Sequence, residues 1–137
     1  MARKKYYGKK YSSKDEQIDW VFRRFLWLLE NKINQIVFIT PLRDPDIPKA
    51  HLRGLWSQEE KTTTHGKKTI VYEKLTIYID PKRHEKIGGN VMSTFIHELT
   101  HVLFPTIPER NICQEENILF KRFSEIQKRV LKKFLPK

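Results

Sequence analysis

Apolar residues recur along this chain with two different periods, and the switches between them divide it into a first helix, a run of short strands and two further helices. Ile18, Val21, Phe22, Phe25, Leu26 and Leu29 fall at helical spacing, with Trp20 and Trp27 read as packing residues among them. Ser13-Lys14-Asp15-Glu16 ahead of them has capping-box spacing, so a helix is predicted over residues 14–31. Residues 35–40 form a β-branched run closed by Pro41, and residues 41–50 hold three prolines and two aspartates, the composition of a loop. Residues 51–57 read as a strand, 59–68 as a polar stretch with His65-Gly66 at a turn between strands, and 69–72 as another strand. In the strand predicted over residues 75–79, Leu75, Ile77 and Ile79 alternate inward with Thr76 and Tyr78 outward. Asp80-Pro81 ends it, and Lys82-Arg83-His84-Glu85 read as part of a polar loop.

Val91, Phe95, Leu99, Val102 and Phe104 then return to helical spacing, with Gly88-Gly89-Asn90 as the start signal and Pro105 as the stop. Residues 105–108 make a tight connection. A final helix is predicted from Pro108 to about residue 134, its stripe formed by Ile112, Leu119, Phe120, Phe123, Val130 and Phe134. Strands lying between helices in this order predict an α+β domain with a small mixed sheet.

Candidate chemistry sits on the penultimate helix. His97-Glu98-Leu99-Thr100-His101 is His-Glu-x-x-His. Residues four apart on a helix lie one above the other, so His97 and His101 present their imidazoles to one ion. Glu98 is rotated by about 100° from His97, toward the flank of that ion, where a carboxylate can take a proton from an attacking water. A catalytic zinc takes a third protein ligand, and no histidine follows His101. Counting about 100° per residue from Ile112, Glu116 and Glu109 fall within the apolar stripe and Glu115 at its edge. A carboxylate facing the core is costly unless it meets a cation or a good donor, which singles out Glu109 and Glu116 without choosing between them. Antiparallel helices would set Glu116 opposite His97; proximity to the turn favours Glu109. His51, His65 and His84 read as surface residues.

Charge changes the picture only at the ends. Of the formal +11, residues 1–14 carry +6 and residues 121–137 another +6, which leaves the intervening body at −1. The first 14 residues are therefore expected to form a flexible basic arm ahead of a single domain over 15–137. Both basic ends are suited to nucleic acid. With 137 residues, 39% hydrophobic content and a single cysteine, Cys113, the chain is expected to fold as one globular, disulfide-free domain. No apolar run reaches membrane-span length, so a cytoplasmic location is expected, in the host cytoplasm or virion if the protein is viral.

Residues 75–80 (Leu-Thr-Ile-Tyr-Ile-Asp), followed at Ser93 by Ser-Thr-Phe-Ile-His-Glu-Leu-Thr-His-Val-Leu-Phe-Pro, resemble the small zincins of phages and mobile elements. Those proteins are akin to the SprT-like and ImmA/IrrE-like metallopeptidases. The likeness spans roughly residues 75–120. Pro108-Glu109-Arg110-Asn111-Ile112 matches the run that opens their next helix at Glu109 and Ile112, and departs from it at Pro108 and Arg110. The resemblance implies a minimal zincin fold and Zn2+ held by His97, His101 and Glu109; Glu116, on the antiparallel-helix argument, stays as the alternative ligand or an acceptor behind the site. It also implies Glu98 as the catalytic acid–base, and Leu75, Thr76, Ile77, Tyr78 and Ile79 as an edge strand that holds substrate. The expected function is a zinc metallopeptidase acting on protein or peptide, as an endopeptidase in preference to an exopeptidase. The alternative is a nucleic-acid-binding or viral structural or accessory protein whose zinc site is structural or vestigial.

Overall fold

The computed structural model describes residue 6, residues 8–87 and residues 90–136, without the side chains of residues 85–87. Helix α1 (Glu16–Asn31) is capped by Asp15, whose carboxylate accepts from the backbone N–H groups of Gln17 and Ile18. The expected cap on Ser13 is not formed. Lys14 stands at φ 69°, and the Ser13 hydroxyl donates to Asp19 instead, at 2.8 Å. Trp27 packs at the margin of the core, whereas Trp20 is exposed beside the Arg24 guanidinium.

Strands β1 (Gln35–Phe38), β2 (Gly54–Ser57) and β5 (Thr76–Ile79) form one sheet in the order β1-β5-β2. β1 runs parallel and β2 antiparallel to β5. β3 (Lys61–His65) and β4 (Lys68–Tyr72) pair as a separate hairpin that turns at Gly66, φ 65°. The turn falls where His65-Gly66 suggested one between strands, and β3 occupies the stretch read as polar, where three consecutive β-branched threonines outweigh their polarity.

The expected edge strand is in fact the central one. β5 is hydrogen-bonded on both sides, so Thr76, Ile77, Tyr78 and Ile79 cannot offer a free edge, and Leu75 lies before the strand at φ 56°. Nor does β5 have an outward face. Ile77 and Ile79 enter the main core, while Tyr78 packs with Leu42 and Tyr72 on the opposite side. Tyr78 accepts from the Glu73 N–H at 2.7 Å. The sheet's free edge above the motif helix belongs to β2.

The presumed polar loop after β5 holds helix α2 (Pro81–Ile87). Buried Asp80 organises it by accepting from the Thr40 hydroxyl and from the Leu42 and Arg83 N–H groups. His84 is buried, not at the surface, with ring nitrogens 2.8 Å from the Asp80 carbonyl and 2.6 Å from the Thr94 hydroxyl. His51 and His65 are exposed, as expected. Asn90 caps α3 (Val91–Leu103) through the Met92 and Ser93 N–H groups, while Gly88 and Gly89 of the start signal lie outside the described residues.

The single long C-terminal helix is two helices, α4 (Glu109–Arg122) and α5 (Glu125–Lys132). Ser124 and Gln127 form a reciprocal capping box that starts α5 afresh. The break turns Phe123, Val130 and Leu131 into the same core as Phe22 and Phe25 of α1, Phe95, Ile96 and Leu99 of α3, and Ile77 and Ile79 of β5. Each such side chain contributes roughly 1.5–3 kcal/mol on burial. The architecture is α+β, and no helix among the described residues is long and apolar enough to cross a membrane.

Of the expected flexible arm, residues 1–5 and 7 lie outside the described residues. The rest is tied down: a 3-10 turn at Lys9–Tyr11 leads to Tyr11, whose carbonyl accepts from the buried Gln127 amide at 2.7 Å. That amide also donates to Asp19 at 2.8 Å, where the Ser12 and Ser13 hydroxyls and the Ser13 N–H converge. Partial burial opposes ionisation of Asp19, but these donors outweigh it and bring its pKa down to about 2. A folded-state value below the unfolded one means stabilisation is complete above the unfolded pKa of about 4 and lost as pH falls toward 2. Asp19→Asn is therefore expected to lower the melting temperature by a few degrees at pH 7. The gap from the parent chain should close between about pH 4 and pH 2 in thermal melts followed by circular dichroism.

Candidate metal centre

α3 has two faces. Phe95, Ile96, Leu99 and Val102 are buried in the core, and the opposite face carries Ser93, His97 and His101 toward α4. The turn at residues 105–108 folds α4 back along α3, with Pro108 at its start and Glu109 as its first residue. Glu109 and Glu116, seven positions apart on one face of α4, thereby both meet the motif helix.

They meet it differently. One Glu109 oxygen lies 2.7 Å from His97 Nε2 and the other 2.8 Å from His101 Nε2, while the two Nε2 atoms are 3.2 Å apart. Glu116 sits behind His97, its Oε1 2.7 Å from Nδ1, and its Oε2 accepts from the Ser93 hydroxyl. With Nδ1–H donating to Glu116, His97 directs a bare Nε2 toward His101 and Glu109. Lone-pair donors this close repel one another unless a proton or a cation lies among them. Ligands around a tetrahedral zinc at 2.0–2.1 Å are separated by roughly 3.3 Å, near the observed nitrogen separation. Two imidazoles and a carboxylate therefore fit a zinc ion in chemistry, with the two nitrogens at ligand spacing and the Glu109 oxygens, at 2.7 and 2.8 Å, drawn in to hydrogen-bond distance of them.

Cys113 adds a competing donor. A group of His97, Glu109 and Cys113 also lies within reach of one ion. The Cys113 thiol is 3.9 Å from Glu109 Oε1, and burial together with the neighbouring carboxylates pushes its pKa up, which disfavours the thiolate a metal needs. His101, 2.8 Å from Glu109, is the better-placed third donor.

The protonation landscape follows from crowding three acids around two bases. Burial by itself would push His97 down, but the Glu116 hydrogen bond and the charges of Glu98, Glu109 and Glu116 hold it above its ordinary value. Burial pushes His101 down, only partly opposed by Glu109. Burial raises the Glu98 carboxyl to about 7 against the attraction of His97. For Glu116, burial works upward, but its bonds from His97 and Ser93 bring it below the usual carboxylate range.

Glu98 lies under β2. Its carboxylate accepts from the Trp56 backbone N–H. Leu55 pairs with Tyr78, and the Arg53 carbonyl accepts from Asp80, so strand alternation turns the backbone groups of Gly54 and Trp56 to the free edge. A Cβ on Gly54 would stand 2.6 Å from Thr94 Cγ2 and 2.9 Å from Glu98 Oε2. Only glycine lets the strand come this close. A cleft of about 470 Å³ opens on one side of His97, Glu98 and Glu109, lined also by Leu52, Trp56 and His101. A second, of about 280 Å³, opens on the other, toward Arg53 and Arg83.

All four chemistry-bearing residues expected from the sequence, His97, Glu98, His101 and Glu109, come together here, with Glu116 behind them. Leu75 to Ile79 do not reach the site. Gly54, Trp56, Ser93 and Thr94 were missed. A lone glycine in a predicted strand was the available signal for close approach, and Ser93 stands one helical turn before His97. Comparison of the chain with protein-family models, curated proteins and solved structures gave no match.

Zinc titration against a chromophoric chelator is expected to show a loss of affinity of at least 10–100-fold for His97→Ala, His101→Ala and Glu109→Gln. Glu116→Gln should lose less, and Cys113→Ser should stay within a few-fold of the parent. A Cys113→Ser loss as large as that of His101→Ala would replace His101 by Cys113 in the ligand set.

Proposed function

We propose that the chain is a zinc-dependent metallopeptidase of minimal zincin type, related to the small phage and mobile-element zincins. The observation that carries this reading is the meeting of His97 Nε2, His101 Nε2 and the Glu109 carboxylate within 2.7–3.2 Å, beside the buried Glu98. A zinc ion on those three residues would lower the pKa of a bound water toward neutrality and polarise a substrate carbonyl. Glu98, buried beside those ligands, would accept the proton of the attacking water and return it to the departing amine. Glu116 holds the His97 ring by its Nδ1–H and fixes the tautomer. The free edge of β2, not β5, receives an extended peptide as an added strand along the cleft.

Glu98→Gln separates this reading from a structural zinc site. The variant is expected to retain about one zinc per chain and to lose peptide-bond hydrolysis by about 10²–10⁴-fold, the usual worth of a general acid–base. Loss of zinc comparable to that of His97→Ala, or unchanged turnover, would remove Glu98 from that role.

Nucleic-acid binding is a second reading, favoured by the hydrogen bond between Tyr11 and Gln127. That bond brings the turn that carries Lys9 and Lys10 against α5, the helix that carries Arg129 and Lys132. Binding to duplex DNA should weaken steeply with salt and show little sequence preference. A chain lacking residues 1–14 should bind more weakly and with a shallower salt slope; an unchanged slope would exclude the N-terminal segment.

A further inference from the structure

The second cleft carries positive charge that the zinc ligands do not use. Arg53, from the segment leading into β2, and Arg83, on α2, line it together with Gly54, Thr94, Cys113 and Glu116. Acids stand on the facing wall, and the Arg53 charge helps to hold Glu116 ionised, but their oxygens are bonded elsewhere: Glu116 holds His97 with one oxygen and Ser93 with the other, and Glu109 spans both imidazoles. Glu98 is bound to the Trp56 N–H. Among the described residues, neither arginine enters an ion pair, and the buried Nε of Arg83 has no hydrogen-bond partner. That Nε is shut off from solvent, so what the cleft offers an acceptor brought from outside is the positive charge of the two arginines that line it.

The surroundings hold Arg83 in place. Its backbone N–H donates to Asp80 at 3.0 Å, and the following turn of α2 is pinned by His84 between the Asp80 carbonyl and the Thr94 hydroxyl. Thr94 is also the residue that Gly54 lets come close. One set of contacts therefore fixes the turn of α2 that carries Arg83 against the polar face of α3. The cleft on the other side of His97 is different in kind, with Leu52, Leu55, Trp56 and Pro105 in its wall and no lysine or arginine.

We propose that Arg53 and Arg83 form a carboxylate-binding subsite that selects peptides with a negative charge on one side of the scissile bond. The proposal rests on the metallopeptidase reading for its substrate class. A carboxylate is the chemistry that a guanidinium fork binds best in a peptide. Two sources share it, an acidic side chain within a longer peptide and a free C-terminus. The first makes the enzyme an endopeptidase with an acidic preference, the second a carboxypeptidase.

The test is equilibrium binding to the zinc-loaded Glu98→Gln chain, which needs no turnover. Four probes are compared by calorimetry: acetyl-trialanine with a free carboxylate, its carboxamide, and the amidated peptides acetyl-dialanyl-aspartate and acetyl-dialanyl-asparagine. Charge-assisted bonds of this kind make the preferred carboxylate bind about 10–100-fold tighter than its amide partner. Preference in the first pair identifies a free C-terminus, and preference in the second an acidic side chain. The ratio should fall to near one when Arg53→Gln and Arg83→Gln are combined. It should be partly kept by the two lysine replacements, and should fall to an intermediate value for exposed Arg53→Gln alone, a change outside the buried contacts of α2. A ratio near one in the unaltered subsite, or one insensitive to both arginines, overturns the proposal. Selective binding together with a parent chain that hydrolyses none of these peptides would instead count against the peptidase reading and leave the subsite standing.

Discussion

The arrangement depends on how closely two neighbours approach one helix. α3 is packed on its apolar side by α1 and β5, and its polar side must be covered by groups able to satisfy His97, Glu98 and His101. α4 does this by returning along α3 immediately after a proline-bounded turn, and β2 does it by crossing Glu98 at a residue without a side chain. Either approach, loosened by an ångström, would leave a half-buried imidazole or a buried carboxylate without a partner. That cost sets the geometry of the site.

The two glutamates of α4 show how one helix face divides its labour. Glu109 is the more exposed and sits at the helix start, where it reaches both Nε2 atoms. Glu116, two turns on and more buried, can reach only the rear of the His97 ring. The sequence argument for proximity and the argument for antiparallel helices, set against each other as rivals, describe two different contacts of the same hairpin. The acids compete for protons with the imidazoles they hold. Glu98 faces the β2 backbone instead, and its burial there raises its pKa to about 7 against the lowering pull of His97 and of the Trp56 N–H.

Away from the site, polar hubs tie together elements that propensity alone would leave separate. Asp80 joins the end of β5, the segment after β1 and the start of α2. Asp19 and Gln127 join the N-terminal segment, α1 and α5. Each is a short acceptor or amide with several donors around it, more informative about topology than any single apolar contact. Both are invisible to hydrophobic periodicity because the partners that join separate elements lie 38 or 40 positions away for Asp80 and more than 100 for the Asp19–Gln127 pair.

Local information was enough for whatever depends on residues one or two turns apart. The facing of His97 and His101, the flanking position of Glu98, the Asn90 start and Pro105 stop, and the inward side of Ile77 and Ile79 all follow from the periods of helix and strand. The choice of Glu109 and Glu116 over Glu115 followed from the same arithmetic. Tertiary structure decided what those periods leave open. β5 became the central strand because β1 and β2 pair on either side of it, and the alternation of side chains is the same in an edge strand and a central one. The last helix broke at Ser124 because a capping box and the burial of Phe123 and Val130 outweigh an apolar stripe that would run on unbroken. Arg53, Arg83 and Gly54 reached the site only through the packing of β2 and α2 against α3, a contact between segments distant in sequence that no local pattern encodes.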